Sequence, residues 1–332
     1  MIAKHRQLVI LGALGVSALL LTVVASFIGP QVLTPWSIVS GSLDHEIFWW
    51  MRVPRVLAAF LAGSGLALCG MVFQALFRNP MADPFTLGTA SGASCGAAAT
   101  VLAGYTGAIL GIPLVSIGAF AGAAIAMVAV SSIASAKRSA GNLTMLLAGI
   151  AVSFIFSSLL MFMQYLSNFR DSFQIVRWLM GGIQATGYGT VVTLLCFWCV
   201  GVASIAVQLP RLDQLLAGSD LAHSRGVNVP AARRWLLAAT TLLIGGIVAV
   251  CGPIGFIGLM VPHICRRLVS SNHLLLAPAC ILVGGTLLVI ADTAGRVIIA
   301  PAEMPVGVLT ALIGGPFFLW LLFGRRRRDE EF

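Results

Sequence analysis

Ten apolar stretches, each of a length suited to a lipid bilayer, constrain the fold of this chain more than any other feature. A helix needs roughly 20 mostly apolar residues to cross the hydrocarbon core. The stretches lie near 7–29, 54–77, 85–105, 109–136, 143–166, 188–208, 235–251, 253–268, 274–296 and 306–323. They are longer than the strands of an outer-membrane barrel and lack the alternation of such strands. The sequence therefore predicts an all-α integral membrane protein with about ten transmembrane helices, forming a single domain over residues 1–332.

Composition supports a membrane protein, since 59% of the 332 residues are hydrophobic and 9% are charged. A soluble domain carries about a quarter charged residues. The first stretch follows Lys4 and Arg6, as in a signal peptide, but its apolar core exceeds the usual length of about 7–15 residues. We expect it to be retained as the first membrane span.

The basic residues predict the orientation. If the N-terminus is inside and the spans alternate, 15 of the 20 Lys and Arg residues lie on the inner side. The outer side then holds Arg52, Arg55, Arg170, Arg177 and Arg296. This excess is what the positive-inside rule requires, so we predict that both termini are cytoplasmic. The net charge of +9 follows from this topology, and no nucleic-acid partner is expected because the basic residues are dispersed.

A polar break, Arg78–Pro84, separates the second and third apolar stretches. Proline removes a backbone donor and pushes the preceding residue away from helical geometry. Pro80 and Pro84 therefore predict a rigid elbow near the inner membrane boundary. Polar groups are rare at such a depth unless they face water or protein, so the elbow is a candidate functional element.

Two connections are long enough to carry structure. Residues 167–187 are predicted to form a periplasmic interfacial segment, whose alternative role is a simple surface cap. One face of its short helix would carry Phe169, Phe173, Val176, Leu179 and Met180, and Gly181 and Gly182 would end it. Residues 209–234 are predicted to form a short helix pair or helix–turn on the cytoplasmic face. Ser219 or Asp220 could cap its helix, Gly226 could end it, and Pro230 would prevent its continuation into the next span.

The chain lacks the residues for several kinds of chemistry. Its two lysines, Lys4 and Lys137, do not follow glycine, so no phosphate-binding loop is present. Only Asp292 and Glu303 among the acids lie near the membrane, and Asp292 stands four residues before Arg296, its expected partner. We therefore expect no catalytic residues, no metal site and no cofactor bound by this chain.

The spacing of the cysteines does not predict a redox or zinc site. Cys196 and Cys199 have CxxC spacing, but they lie inside an apolar stretch without a basic or histidine partner nearby. We interpret them as lipid-facing or packing cysteines.

Six motifs in order resemble the FecCD-type permeases, the membrane subunits of type II ABC importers for ferric siderophores, haem and vitamin B12. They are Arg52–Arg55, Asn79–Pro84, Leu147–Gly149, Gly252–His263, Ala291–Asp292 with Arg296, and Glu303–Gly307. The resemblance runs from about residue 50 to 323. It implies a dimer of permeases in the bacterial inner membrane, two ATPase subunits that bind ATP and Mg, and a periplasmic binding protein.

The resemblance also implies roles for individual residues. Docking of the binding protein would fall to Arg52, Arg55 and Arg296, for which interfacial snorkelling is the alternative. The cytoplasmic gate would comprise Asn79, Met81, Asn142 and Leu143, for which helix-end turn chemistry is the alternative. Coupling to the ATPase would fall to Gly218, Ser219, Asp220, His223, Arg225 and Gly226.

Function is thus predicted as the permease subunit of an ATP-driven importer for a siderophore, haem or cobalamin. A secondary transporter driven by an ion gradient is the alternative, and it would require Asp292 or Glu303 to be essential.

Overall fold

The described part of the chain contains ten long helices and several short ones. A computed structural model describes residues 2–31, 33–34, 36, 38, 43–83, 85, 88–105, 107–109, 112–136, 142–183 and 187–329. The long helices are α1 (Ile2–Phe27), α3 (Val53–Phe77), α4 (Thr89–Leu102), α5 (Leu114–Ala136), α6 (Asn142–Leu166), α8 (Tyr188–Ala206), α11 (Val229–Cys251), α12 (Ile257–Leu268), α13 (His273–Val297) and α14 (Val306–Asp329).

Short elements connect them at both ends of the bundle. They are α2 (Leu43–Glu46) with the π-helical turn Ile47–Arg52, the antiparallel strands β1 (Ala108–Ile109) and β2 (Ile112–Pro113), α7 (Phe169–Leu179), α9 (Leu209–Ala217) and α10 (Ser219–Ser224).

Each of the ten predicted stretches overlaps one of the ten long helices, so the all-α prediction is confirmed. Seven helical segments in the described chain are long and apolar enough to cross a membrane, and α14 contributes a shorter apolar part, Val306–Leu321. However, α4 and α12 have 14 and 12 residues. At 1.5 Å per residue they rise only about 21 and 18 Å, whereas the hydrocarbon core is about 30 Å thick. These two helices are therefore shorter than the other spans, while the predicted count of about ten transmembrane helices is confirmed.

Helix α3 occupies the centre of the protomer. In its most apolar window 83% of residues are buried, against 11% for α1 and 17% for α6. It packs against α13, α12, α8 and α11. The polar elbow follows the C-terminal end of α3, and Arg52 and Arg55 lie at its N-terminal end. The buried helix α3 therefore connects these two polar regions.

Glycines let the neighbours of α3 approach its backbone closely. A Cβ atom at Gly63 would meet the carbonyl oxygen of Gly284 on α13, and one at Gly70 would meet the backbone of Gly258 on α12. Small residues at helix crossings are typical of membrane proteins, where packing rather than the hydrophobic effect holds helices together.

Candidate functional site

A cluster of ion pairs lies where α3 begins and α13 ends. Arg55 Nε donates to both carboxylate oxygens of Asp292 at 3.1 and 3.2 Å, and Arg55 Nη1 donates to Glu303 at 2.9 and 3.1 Å. Arg296 Nε lies 3.1 Å from Asp292 Oδ2. The Asp292–Arg296 pair predicted from the four-residue spacing is therefore confirmed. One carboxylate is shared by two guanidiniums.

Burial differs sharply within this cluster. The side chains of Asp292 and Arg296 are 0% and 2% exposed, whereas those of Arg55 and Glu303 are 18% and 48% exposed. A buried charge is tolerated when it is paired and hydrogen-bonded. Asp292 is hydrogen-bonded to Arg55 and forms an ion pair with Arg296. Glu303 forms the exposed rim of the cluster.

The three arginines expected to dock a binding protein are not equally accessible. Arg52 is 8% exposed and donates through Nη2 to the carbonyl of Gln31 at 3.0 Å. Arg296 Nη2 donates to Thr293 Oγ1 at 2.9 Å and to the carbonyl of Ala25. Arg52 and Arg296 therefore direct these hydrogen bonds toward the protein interior. Arg55 alone of the three keeps a partly exposed guanidinium.

The elbow after α3 is held by local hydrogen bonds. Arg78 adopts a left-handed conformation with φ of 50° and ends the helix. The Asn79 side chain accepts from the amide of Met81 at 3.0 Å, and the Asn79 carbonyl accepts from Ala82 at 3.0 Å. These bonds make the tight turn that the prolines predict, although Pro84 itself lies outside the described residues.

Asp83 is the buried acid of the elbow. Its Oδ1 accepts from the amide of Phe85 at 3.2 Å. Burial raises the pKa of Asp83 to about 6, and the Phe85 hydrogen bond acts in the opposite direction. Removal of the carboxyl from water thus outweighs one amide donor.

The elbow is joined to the cytoplasmic helix α9. Arg78 donates through Nε and Nη2 to the carbonyl of Leu215 at 3.2 and 2.8 Å. On the same helix, Asp213 Oδ1 lies 2.5 Å from Nδ1 of His273, the first residue of α13, and the His273 amide is 3.4 Å from the same oxygen. Helix α9 is therefore tied to the ends of two membrane helices.

The predicted coupling residues lie on α10 and in the turns on either side of it. Gly218 separates the two helices with φ of 136°, and Gly226 follows α10 with φ of 80°. Helix α10 begins at Ser219 with Gly218 as its N-cap, so the prediction that Ser219 or Asp220 caps it is wrong by one or two positions. The structure describes only the backbone of Ser219 and Asp220. His223, Arg225 and Gly226 are exposed.

The four predicted gate residues fall in two places. Asn79 and Met81 are half-buried in the elbow. Asn142 and Leu143 open α6, but their side chains lie outside what the structure describes.

The model of the FecCD transport family matches residues 16–324. The chain belongs to the FecCD transport family. It is 38% identical over 299 residues to the hemin transport system permease protein HmuU of Yersinia pestis, covering 89% of this chain and 88% of that protein. It is 37% identical over 324 residues to the vitamin B12 import system permease protein BtuC of Escherichia coli O9:H4 (strain HS), covering 97% and 96%.

A solved structure of a metal-chelate type ABC transporter in an inward-facing conformation is also similar. Its TM-score is 0.82 at 29% identity, covering 96% of this chain and 99% of that one. The FecCD resemblance seen in the six motifs is thereby confirmed. This FecCD-family chain is a multi-pass permease of the inner membrane and not an enzyme.

The predicted interfacial segment contains the helix α7, whose side chains differ in exposure. Ile175 of α7 is buried, but Phe169, Phe173 and Val176 of the predicted apolar face are 90%, 62% and 40% exposed. The Asn168 side chain caps the helix by accepting from the Asp171 amide at 2.9 Å. The apolar face therefore points away from the protomer.

Sequence reasoning missed the contacts that tie distant segments together. Arg55 and Asp292 are 237 residues apart, and Asp213 and His273 are 60 residues apart. Short-range spacing can find an i,i+4 pair such as Asp292–Arg296. It carries no signal for partners that meet only after the helices pack.

Proposed function

We propose that this chain is the permease subunit of an ATP-driven importer that moves an iron chelate, haem or cobalamin across the bacterial inner membrane. The match to the FecCD transport family over residues 16–324 carries the proposal. Relatives named as hemin and vitamin B12 permeases support the substrate class, since hemin and vitamin B12 are both bulky metal chelates.

The energy source in this proposal is a pair of separate ATPase subunits that bind ATP and Mg. An ion-gradient carrier needs a carboxylate within the membrane that can release its charge. Asp292 is instead held by Arg55 and Arg296, and a carboxylate between two fixed cations is poorly suited to cyclic protonation. This pairing argues against the secondary-transporter alternative.

The ATPase would dock on α10 and the turns beside it, at Gly218, Ser219, Asp220, His223, Arg225 and Gly226. Two observations support this surface. It carries an exposed leucine, Leu221 at 51%, and the preceding helix α9 is bonded to Arg78 and His273 at the ends of α3 and α13. A displacement of α9 and α10 would therefore act directly on α3 and α13.

The inner gate would comprise Asn79, Met81, Asn142 and Leu143. Support comes from the elbow, because Arg78 connects it to α9 through the Leu215 carbonyl. Movement of the ATPase-facing helices would thus change the position of Met81, whose flexible side chain suits an adaptable apolar constriction.

A periplasmic binding protein would dock on the outer charge cluster. Arg55 would make the direct contact, because its guanidinium is partly exposed, while Arg52 and Arg296 would hold the cluster in place or be released on docking. The rim acid Glu303 would then be displaced from Arg55 by a carboxylate of the binding protein. An Arg55→Glu variant should bind the binding protein more weakly at low salt, with a Glu303→Gln variant as the matched control.

A second copy of the permease would complete the pathway. The exposed apolar side chains of α6, including Phe154 at 70% and Met161 at 70%, together with Leu312 at 61% on α14, offer surface for such a contact. Lipid would cover the remaining exposed apolar surface.

Transport into vesicles tests the proposal. The chain, its ATPase and its binding protein would be reconstituted, and uptake of a radiolabelled ferric siderophore, haem or cobalamin measured with ATP inside or outside. We expect uptake that requires ATP on the cytoplasmic face and persists with an uncoupler. Uptake that an uncoupler abolishes while ATP has no effect would overturn the proposal in favour of the secondary transporter.

A further inference from the structure

The chain between α11 and α12 is not helical, although it lies at the depth of the bilayer core. Gly252 packs against the carbonyl of Trp178 on the outer side, and Gly258 packs against Gly70 of α3. Gly70 is about 25 Å along α3 from its outer start at Val53. The chain from Gly252 to Gly258 can cover at most about 20 Å. The segment Gly252–Phe256 therefore descends through the outer half of the membrane.

Contacts with α14 place the same segment independently. Gly307, in the first turn of α14, lies against the carbonyl of Pro253, and Gly314 lies against the ring of Phe256. Seven residues of helix rise about 10 Å, which agrees with the descent of the chain from Pro253 to Phe256. The segment and the outer half of α14 thus run side by side.

The segment leaves main-chain groups open. Among the described residues, no hydrogen-bond acceptor faces the amides of Ile254, Gly255 and Phe256. Pro253, Gly255 and Phe256 are only half-buried. No described atom lies within 4 Å of the place that a Cβ atom would take at Gly255. One side of the segment therefore faces open space.

Lipid is a poor occupant of that space. An unpaired amide in hydrocarbon costs several kcal/mol, so irregular backbone at membrane depth occurs where it is buried in protein or lines a water-filled cavity. Ile254 is 1% exposed, so its amide is enclosed by protein. The free amides of Gly255 and Phe256 would make lipid exposure at Gly255 strongly unfavourable. Water molecules can accept hydrogen bonds from these amides, so no acceptor from the protein is needed.

We infer that Gly252–Phe256 lines a water-filled path through the outer half of the membrane, where its free amides bind water and the oxygen atoms of passing substrate. The inference deepens the proposed function, on which it rests for the nature of the solute. Main-chain amides donate hydrogen bonds without regard to side-chain chemistry. They suit oxygen-rich chelates, and each contact is weak enough to let the substrate move on.

Accessibility of a cysteine at Gly255 tests the water-filled path without any transport. Full-length Gly255→Cys would be treated in right-side-out membrane vesicles with a membrane-impermeant quaternary-ammonium methanethiosulfonate. The thiolate, which is the reactive form, needs water. We expect modification at least about ten-fold faster than for Gly12→Cys, because Gly12 is an exposed glycine on α1 that also has no described atom within 4 Å of its Cβ position.

The wild-type chain supplies the background. Its free cysteines Cys196 and Cys199 are exposed on α8, where lipid should keep them unreactive. Equal rates for Gly255→Cys and Gly12→Cys would overturn the inference. So would protection of Gly255→Cys combined with rapid disulfide formation between two copies on mild oxidation, since the open side would then be covered by a second permease.

A bulky side chain tests the passage of substrate. Gly255 does not have a positive φ, so Gly255→Leu is compatible with the backbone. We expect it to lower uptake of a haem or siderophore probe about five-fold or more by narrowing the path. Normal uptake by Gly255→Leu would contradict the inference. Failure of the wild-type chain to transport would instead contradict the proposed function. The labelling of Gly255→Cys would still test the water-filled path, because it does not depend on transport.

Discussion

The buried ion pair at the outer end of α13 supports a quantitative prediction about stability. Asp292→Asn removes the only negative charge that Arg296 contacts among the described residues, and it leaves two guanidiniums in a site where the Asp292 side chain is 0% exposed. Breaking one partner of a buried pair costs about 3–5 kcal/mol, because the remaining charge is uncompensated. Glu303 is 48% exposed, so Glu303→Gln should cost less than about 1 kcal/mol.

A second substitution separates charge imbalance from lost packing. In Asp292→Asn/Arg296→Gln one positive and one negative charge leave together, and Arg55 keeps Glu303. Neutralising both partners of a buried pair is often tolerated. We therefore expect the double variant to be more stable than the sum of the two single changes by about 1–3 kcal/mol.

Equilibrium unfolding by sodium dodecyl sulfate in mixed micelles, followed by circular dichroism, gives the free energy of unfolding of each variant. The decisive result is the ranking of the variants by their free energy of unfolding. If Asp292→Asn and Glu303→Gln lowered the free energy of unfolding equally, or if the double variant were simply additive, burial would not govern this cluster and the reasoning would be refuted.

Three further predictions follow from the inner side and from helix packing. Burial raises the pKa of Asp83 from 3.8 to about 6. The protonated carboxyl therefore contributes to stability below pH 4, and this contribution is lost as pH rises through 6. Asp83→Asn should remove up to about 3 kcal/mol of this pH dependence in the free energy of unfolding. Asp213→Asn should weaken the contact with His273 and lower binding-protein-stimulated ATP hydrolysis while basal hydrolysis remains, and equal loss of both rates would refute a coupling role. Gly70→Ala should destabilise by about 1–3 kcal/mol because its methyl meets the α12 backbone, whereas Gly12→Ala in open space should be neutral or slightly stabilising in the same unfolding assay.

The positions of the helices were predictable because apolar length is a local property. Each stretch of about 16 or more apolar residues became a helix, and the elbow at Arg78–Pro84 formed where proline and asparagine favour a turn. The lengths of α4 and α12 were not predictable in this way. By hydropathy, residues 253–256 are apolar and continuous with α12. However, Gly252 and Phe256 adopt positive φ values, and the chain there is not helical.

The outer arginines mark the limit of reasoning from a resemblance. Motif positions identify Arg52, Arg55 and Arg296 as one group, and the fold does bring all three to the outer end of α3 and α13. Their exposure differs because α1 and the segment after it cover Arg52 and Arg296 with backbone carbonyls. Covering by a neighbouring segment is a property of packing, so no motif could have predicted it.

By itself, the sequence determined the membrane setting, the number of long helices, their orientation and the family, because apolar length, charge asymmetry and short motifs are readable one segment at a time. Only the tertiary structure decided which charges are buried, that Arg78 and His273 hold α9, and that Gly252–Phe256 is non-helical chain between α11 and α12. Those features depend on contacts between residues far apart in the chain. Such contacts exist only once helices have packed, and local spacing contains no record of them.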